Sequence, residues 1–342
     1  MTDPESIEPQ FVYERTAMRP TARTWIKHIL LMLATLCTAT VAGVLYPFGV
    51  SNNFIAGDPQ TTDEVVRFFA TLPIEYALMV IKTVQDLFVV DGLLRYGLSF
   101  SISLLFILIS HEMGHYIACR LYKVDATLPY FIPTPPMIGP AGTFGAFIKI
   151  MSPMPSRRAV FDIGVAGPIA GFIALIPVAL MGLATMQTAS PEQVAYSTGG
   201  LVFSDPLLFK GLAYLFGIDL KFGIGNAFYF AAWVGLLVTA LNLIPSGQLD
   251  GGHAIFAVLG EKAHYWTGRI AFAVMAILSV LGMYLYSSPS GFLFAIILAV
   301  MMRVKHPEPD DLTPLDTKRK VIALLTLIIF ILCFVPFPIQ IT

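Results

Sequence analysis

Charge is what this sequence has least of. Asp, Glu, Lys and Arg make up 13% of its 342 residues, where a soluble globular chain carries about 25%. With 56% hydrophobic residues and a mean hydropathy of +0.75, that scarcity excludes a soluble globular protein. Nor is one sign in excess: 21 Lys and Arg stand against 22 Asp and Glu, a formal net charge of −1. A nucleic acid backbone would find no basic face, so nucleic acid is excluded as a partner. Cysteine is scarce too. Cys37, Cys119 and Cys333 are isolated in or beside apolar segments, which leaves neither a disulfide framework nor a C-x-x-C metal site. Long polar stretches are missing as well, so the chain reads as one transmembrane domain over 27–342, its core about 95–260, behind a cytosolic tail at 1–26.

What is there is a series of apolar runs. Segments at roughly 28–49, 97–119, 159–184, 226–244, 268–286, 291–303 and 320–338 read as about seven transmembrane helices of an all-α polytopic membrane protein. A polar stretch precedes the first run, unlike a signal peptide, so that run is expected to be a retained anchor. Basic residues collect at alternate ends (Arg15, Arg19, Arg23 and Lys27; Arg120 and Lys123; Arg157 and Arg158; Lys318 to Lys320), which marks those ends as cytosolic. The stretch 74–92 is interrupted by Glu75, Lys82, Gln85 and Asp86, and reads either as a surface helix or as a short packed one. Residues 187–224 read as an outer loop with a short surface helix. Glycines at 167 and 171 read as a helix-packing face.

The prolines of Leu128-Pro129-Tyr130-Phe131-Ile132-Pro133-Thr134-Pro135-Pro136 forbid a helix. Apolar yet non-helical, this segment is expected to be a re-entrant loop lining a site, continuing as a short strand or β-hairpin through Gly142 to Ile150.

The chemistry concentrates at His111-Glu112-Met113-Gly114-His115, directly after the apolar run Leu104 to Ile109. Four residues apart on a helix, His111 and His115 share a face and can share a tetrahedral metal, while Glu112 can reach a water on it. This is the H-E-x-x-H arrangement of zinc hydrolases, with two ligands and a general base. A catalytic zinc takes a third protein ligand. Asp250 is the best candidate, because a carboxylate beside a membrane span needs a cation and the topology puts it on the same side as the histidines. Gly251 and Gly252 permit the turn that aims it, and His253 is the runner-up ligand. Asn242, one turn before the helix-ending Pro245, can turn its amide into the cavity and donate to a developing oxyanion.

Together these residues resemble the site-2 protease family of intramembrane zinc metalloproteases. The resemblance rests on His111 to His115, on Asn242-x-x-Pro245 followed by Leu249-Asp250-Gly251-Gly252, and on Gly142-Thr143-Phe144-Gly145 between them. It implies one zinc per chain on His111, His115 and Asp250, Glu112 activating water, Asn242 stabilising the oxyanion, and Gly142, Thr143, Phe144 and Gly145 in a loop that pairs with extended substrate. It further implies cleavage of transmembrane proteins in the lipid bilayer, such as an anti-sigma factor or another single-span regulator, in a bacterial inner membrane with the site toward the cytosol. The proline-rich run and His306-Pro307 resemble the bacterial and plastid branch, and neither a PDZ nor a CBS domain is evident. Two other classes use the same residues: a membrane metal transporter, which would need a polar path across the bilayer, and an inactive scaffold, which would have no use for Glu112.

Overall fold

A computed structural model describes residues 19–51, 53, 60–190, 200–304 and 306–341. The expected tail before residue 19 and part of the 187–224 loop lie outside the described residues. Helix α1 (Ala22–Val44) is capped by Thr21, and α2 (Thr62–Val89) opens with a capping box in which Thr61 and Glu64 satisfy each other's backbone N–H. Next come α3 (Leu93–Leu121), the strands β1 (Tyr130–Pro133) and β2 (Thr143–Phe147), and α4 (Arg157–Ala184). Short strands β3 (Gln187–Thr188) and β4 (Leu201–Phe203) precede α5 (Leu207–Phe216), β5 (Gly223–Ile224) and α6 (Ala227–Leu243). The chain ends with α7 (Asp250–Leu259), α8 (Glu261–Tyr286), α9 (Ser290–Met301), α10 (Thr317–Cys333) and β6 (Ile339–Ile341).

The protein is mostly helical. Four helices, α1, α3, α4 and α8, are long and apolar enough to cross a membrane. The remaining expected spans form shorter helices: α6 and α10 have 17 residues each and α9 has 12. At 1.5 Å per residue those reach roughly 25 and 18 Å, less than a hydrocarbon core of about 30 Å. The ambiguous 74–92 stretch belongs to a continuous 28-residue helix, α2, which runs through Pro73. The expected first span starts and stops earlier than its hydropathy suggests, since the helix ends at Val44, ahead of the Tyr46-Pro47 turn.

α3 is the central element. Its buried stripe runs Phe100, Leu104, Ile107 and Leu108, at helical spacing, and packs between α1, α4 and α6 with Leu175, Trp233 and Leu236. A hydrogen bond of 2.7 Å between Thr40 and Ser101 joins α1 to α3. The outward faces are apolar as well. Ile26, Leu30, Phe69, Ile74, Leu78, Ile277, Val280, Leu324 and Ile331 are all exposed, a surface that water would penalise and lipid would not.

The proline-rich segment forms a hairpin: β1 and β2 pair antiparallel, Tyr130 opposite Phe147 and Phe131 opposite Ala146, with a register shift before Pro133 meets Thr143. Thr38 on α1 donates to the Gly142 carbonyl at 2.8 Å and pins the turn. Two further strand pairs, β3 with β5 and β4 with β6, involve parts of the 187–224 stretch for which a loop and a short helix were expected.

On the side where Arg120, Lys123 and Arg158 collect, α10 is tied to α4. Arg319 donates to both carboxylate oxygens of Asp162, at 2.9 and 2.5 Å, and to the Tyr122 hydroxyl at 3.1 Å. This bidentate pair is half-buried, so it outweighs a surface ion pair. Arg319→Ala should therefore lower stability by about 1–2 kcal/mol, read as a lower thermal midpoint in detergent. An unchanged midpoint would show that α10 is held by its apolar face alone.

Candidate metal centre

The apolar stripe of α3 continues without a change of face into His111, Glu112 and His115, and all three are buried. Asp250 is the first residue of α7, where the free N–H groups and dipole of a helix start favour a carboxylate. Its aim depends on Gly251 and Gly252. A Cβ on Gly251 would lie 2.0 Å from the Leu243 carbonyl oxygen, and one on Gly252 would lie 2.4 Å from that of Gly247.

The geometry of the group is that of a metal site. His111 Nε2 lies 3.2 Å from one Asp250 oxygen, His115 Nε2 lies 3.3 Å from the other, and the two Nε2 atoms are 3.1 Å apart. Ligands of a tetrahedral zinc at about 2.0–2.2 Å stand roughly 3.3–3.6 Å from one another, so the donor set fits that ion with little adjustment. The tautomer fits too. His115 Nδ1 lies 2.6 Å from the Ile163 carbonyl, which can only accept, so Nδ1 carries the hydrogen and Nε2 keeps its lone pair for the site. Among the described residues, these are the three His, Cys, Asp or Glu side chains whose ligand atoms gather closely enough for a metal.

Glu112 and Asn242 take the remaining positions. A Glu112 oxygen is 4.0 Å from His111 Nε2, and its carboxylate accepts the Ile148 backbone N–H. The Asn242 amide comes within 3.3 Å of His111 Nε2. A cavity of about 730 Å³ opens onto this group, and its wall includes Ala146 to Ile150, at the end of β2 and beyond. Gly142, Thr143, Phe144 and Gly145 lie outside that wall. Thr143 spends its hydroxyl on the Ile132 carbonyl and the Gly145 N–H, and the Phe144 side chain is exposed. The cavity-facing strand therefore begins one residue after the glycine motif.

The α4 glycines serve the imidazoles. A Cβ at Gly171 would lie 3.0 Å from His111 Cβ, one at Gly167 would lie 2.0 Å from His115 Nε2, and one at Gly164 would lie 2.7 Å from His253 Cβ. Each histidine thus rests on a glycine of one face, a closer fit than helix-on-helix packing predicts. His253, the runner-up ligand, falls outside the metal group and pairs instead with His306, Nδ1 to Nε2 at 2.7 Å. Its partner lies in a loop, and only the His306-Pro307 dipeptide hints at it in the sequence.

Comparison with known proteins identifies the family and several relatives. The model of Peptidase family M50 matches residues 99–285, more than half of the chain. The probable chloroplastic zinc metalloprotease EGY1 of Arabidopsis thaliana is 31% identical over 242 residues, covering 67% of this chain and 41% of that protein. The probable chloroplastic zinc metalloprotease EGY2 of the same plant is 28% identical over 255 residues, covering 73% and 44%. A third relative, the rice (Oryza sativa subsp. japonica) EGY1, is 27% identical over 238 residues, covering 66% and 38%. The chain thus spans about two-fifths of the length of these relatives.

Two outcomes follow from the geometry. Gly167→Ala should displace the His115 ring and cut zinc affinity at least tenfold while the protein stays folded, as metal analysis after dialysis against chelator would show. Burial, with His253 and His264 alongside, lowers the His306 pKa to about 3. Above pH 6.5 neither folded nor unfolded chain is protonated there, so stability is intact. As pH falls from 6.5 toward 3, the unfolded chain binds a proton that the folded one refuses, and stability drops. His306→Phe should lose less stability than wild type over that window, measured as the change in thermal midpoint between pH 7 and 4.5.

Proposed function

The chain belongs to Peptidase family M50, and on that premise we propose that it is an intramembrane zinc metalloprotease that hydrolyses peptide bonds within or near transmembrane helices of other membrane proteins. The observation that carries the reading is the convergence of His111, His115 and Asp250 with Glu112 inside the apolar interior of α3 and its neighbours. As a zinc site, the group would hold the ion through those three residues. Bound there, zinc would polarise both the attacking water and the scissile carbonyl.

The chain's own residues would do the rest. Glu112 takes one proton of the attacking water and gives it to the leaving nitrogen; the proton left on the new carboxyl follows it, so the products are carboxylate and ammonium with no net proton taken up or released. Asn242 donates its amide N–H to the oxygen that gains charge. A helical peptide bond is shielded by its own hydrogen bonds, so substrate must enter unwound. The segment after the Gly142 to Gly145 motif, Ala146 to Ile150, supplies strand edge along which it would lie extended.

In this reading the chain is one transmembrane domain in which α6, α9 and α10 cross together with the four longer helices, giving about seven spans. The hairpin is re-entrant, and the metal lies toward the face where the basic residues collect. That side is the cytosol of a bacterial inner membrane, the expected host. Single-span regulators are the proposed substrates. No observation favours the transporter or scaffold readings.

Glu112→Gln is the test. It should retain one zinc per chain and lower cleavage of single-span peptides by at least a thousandfold, measured on detergent-purified protein. Cleavage at the wild-type rate would remove Glu112 from the mechanism, and no cleavage by either protein across a broad peptide panel would count against the protease reading.

A further inference from the structure

The mechanism leaves one imidazole of the cavity unused. His253 lines the same cavity as His111, Glu112 and His115, one helical turn beyond Asp250, and rests on Gly164 as the two metal-facing histidines rest on Gly171 and Gly167. A ring that shares the wall of the site, and that α4 accommodates in the same way, is not filler.

Its hydrogen bonds fix its chemistry. His306 Nδ1 lies 2.8 Å from the Pro307 carbonyl oxygen. A carbonyl can only accept, so His306 carries its hydrogen on Nδ1 and its Nε2 is a lone pair. That lone pair lies 2.7 Å from His253 Nδ1, so His253 must donate from Nδ1, and its own Nε2 is left as an acceptor. The His306 ring is held in this pose by stacking on Phe256, with centroids 4.0 Å apart and planes 13° apart. His115 uses the same logic, its Nδ1–H tied to the Ile163 carbonyl so that Nε2 is free for the site. His253 Nε2, however, is not part of the group whose ligand atoms converge for a metal. An acceptor that no metal takes up calls for an N–H or O–H donor. An extended peptide supplies N–H donors along both edges, and one lying along the Ala146 to Ile150 segment of the cavity wall would leave its other edge for His253.

We propose that His253 is a substrate-binding residue whose Nε2 accepts a backbone N–H of the peptide beside the scissile bond, and that His306 is the positioning residue that sets its tautomer. The substrate contact rests on the protease reading above; the tautomer does not.

The experiment uses the full-length zinc-loaded protein and a single-span peptide that it cleaves. His253→Ala should lower kcat/KM about ten- to a hundredfold, the cost of removing one buried hydrogen-bond partner. His253→Gln, whose side-chain oxygen also accepts, should restore most of the loss. His306→Phe keeps the stack but loses the acceptor, so it should fall partway, and the double variant should be no worse than His253→Ala alone. N-methylation of the peptide at successive positions should reveal one site that costs wild type the same factor and His253→Ala nothing. Zinc content should stay at one per chain throughout. In ¹⁵N-histidine-labelled protein, residue 253 should show the Nδ1–H tautomer in wild type and lose it in His306→Phe.

Losses that multiply between the two positions, methylation penalties equal in both proteins, or zinc lost from His253→Ala would overturn the contact. An Nε2–H tautomer in wild type would overturn the dyad whatever the kinetics. Wild type that cleaves no peptide would instead bring down the protease reading, and the contact with it, while leaving the dyad to the spectra.

Discussion

Everything in this structure answers to the cost of placing two imidazoles and a carboxylate on the buried stripe of one apolar helix. His111, Glu112 and His115 follow Phe100, Leu104 and Ile107 on the same face of α3, buried apart from the cavity that opens onto them. A buried ionisable group without partners costs several kcal/mol, and the structure surrounds these with partners. Asp250 comes from another helix to stand between the two Nε2 atoms, the Ile163 carbonyl takes the His115 Nδ1–H, and the Ile148 N–H takes a Glu112 oxygen. A cation at the centre would complete the set, and the 3.1–3.3 Å edges leave room for one.

The backbone had to make way for that arrangement. Three glycines on one face of α4 let three imidazoles approach more closely than any side chain would allow, and Gly251 and Gly252 let the start of α7 fold against the end of α6. Pro168 sits among the α4 glycines and has no N–H to offer the Gly164 carbonyl, the neighbour of Ile163, whose own carbonyl serves an imidazole. The residues that look most permissive in the sequence are therefore those under the tightest steric constraint.

Which of these features could be read from the sequence follows from how locally each is encoded. The pairing of His111 with His115 depends on a four-residue spacing within one helix, so it was legible. Asp250 was legible because an acid beside a membrane span needs a cation to offset its charge, and the two histidines lacked a third ligand. The hairpin was legible because its prolines leave no helical alternative. By contrast, β4 pairs with β6 across more than a hundred residues, and no local pattern announces such a partner. The count of spans was less secure because hydropathy measures composition, whereas crossing a bilayer depends on length, and α9 stops after 12 residues. The glycine motif marks where the chain turns, and the part of the strand that lines the cavity follows directly after it.

The contact between Ile148 and Glu112 links hairpin to base more closely than shared burial does. Lys149 turns its carbonyl toward the Thr127 N–H and its own N–H toward the Thr127 hydroxyl, so in an alternating strand the groups of Ile148 face the other way, into the cavity. The N–H that meets Glu112 is thus part of the same edge along which a peptide would lie. Any change that shifts the register of β1 against β2 by one residue would withdraw that N–H and turn an outward group toward the base instead. The register shift next to Pro133, the Thr38 anchor on Gly142 and the Thr127 bonds to Lys149 all fix this register, and they do so from outside the cavity. The proline-rich segment therefore bears on the chemistry through the position of the strand, and contributes no reactive group of its own.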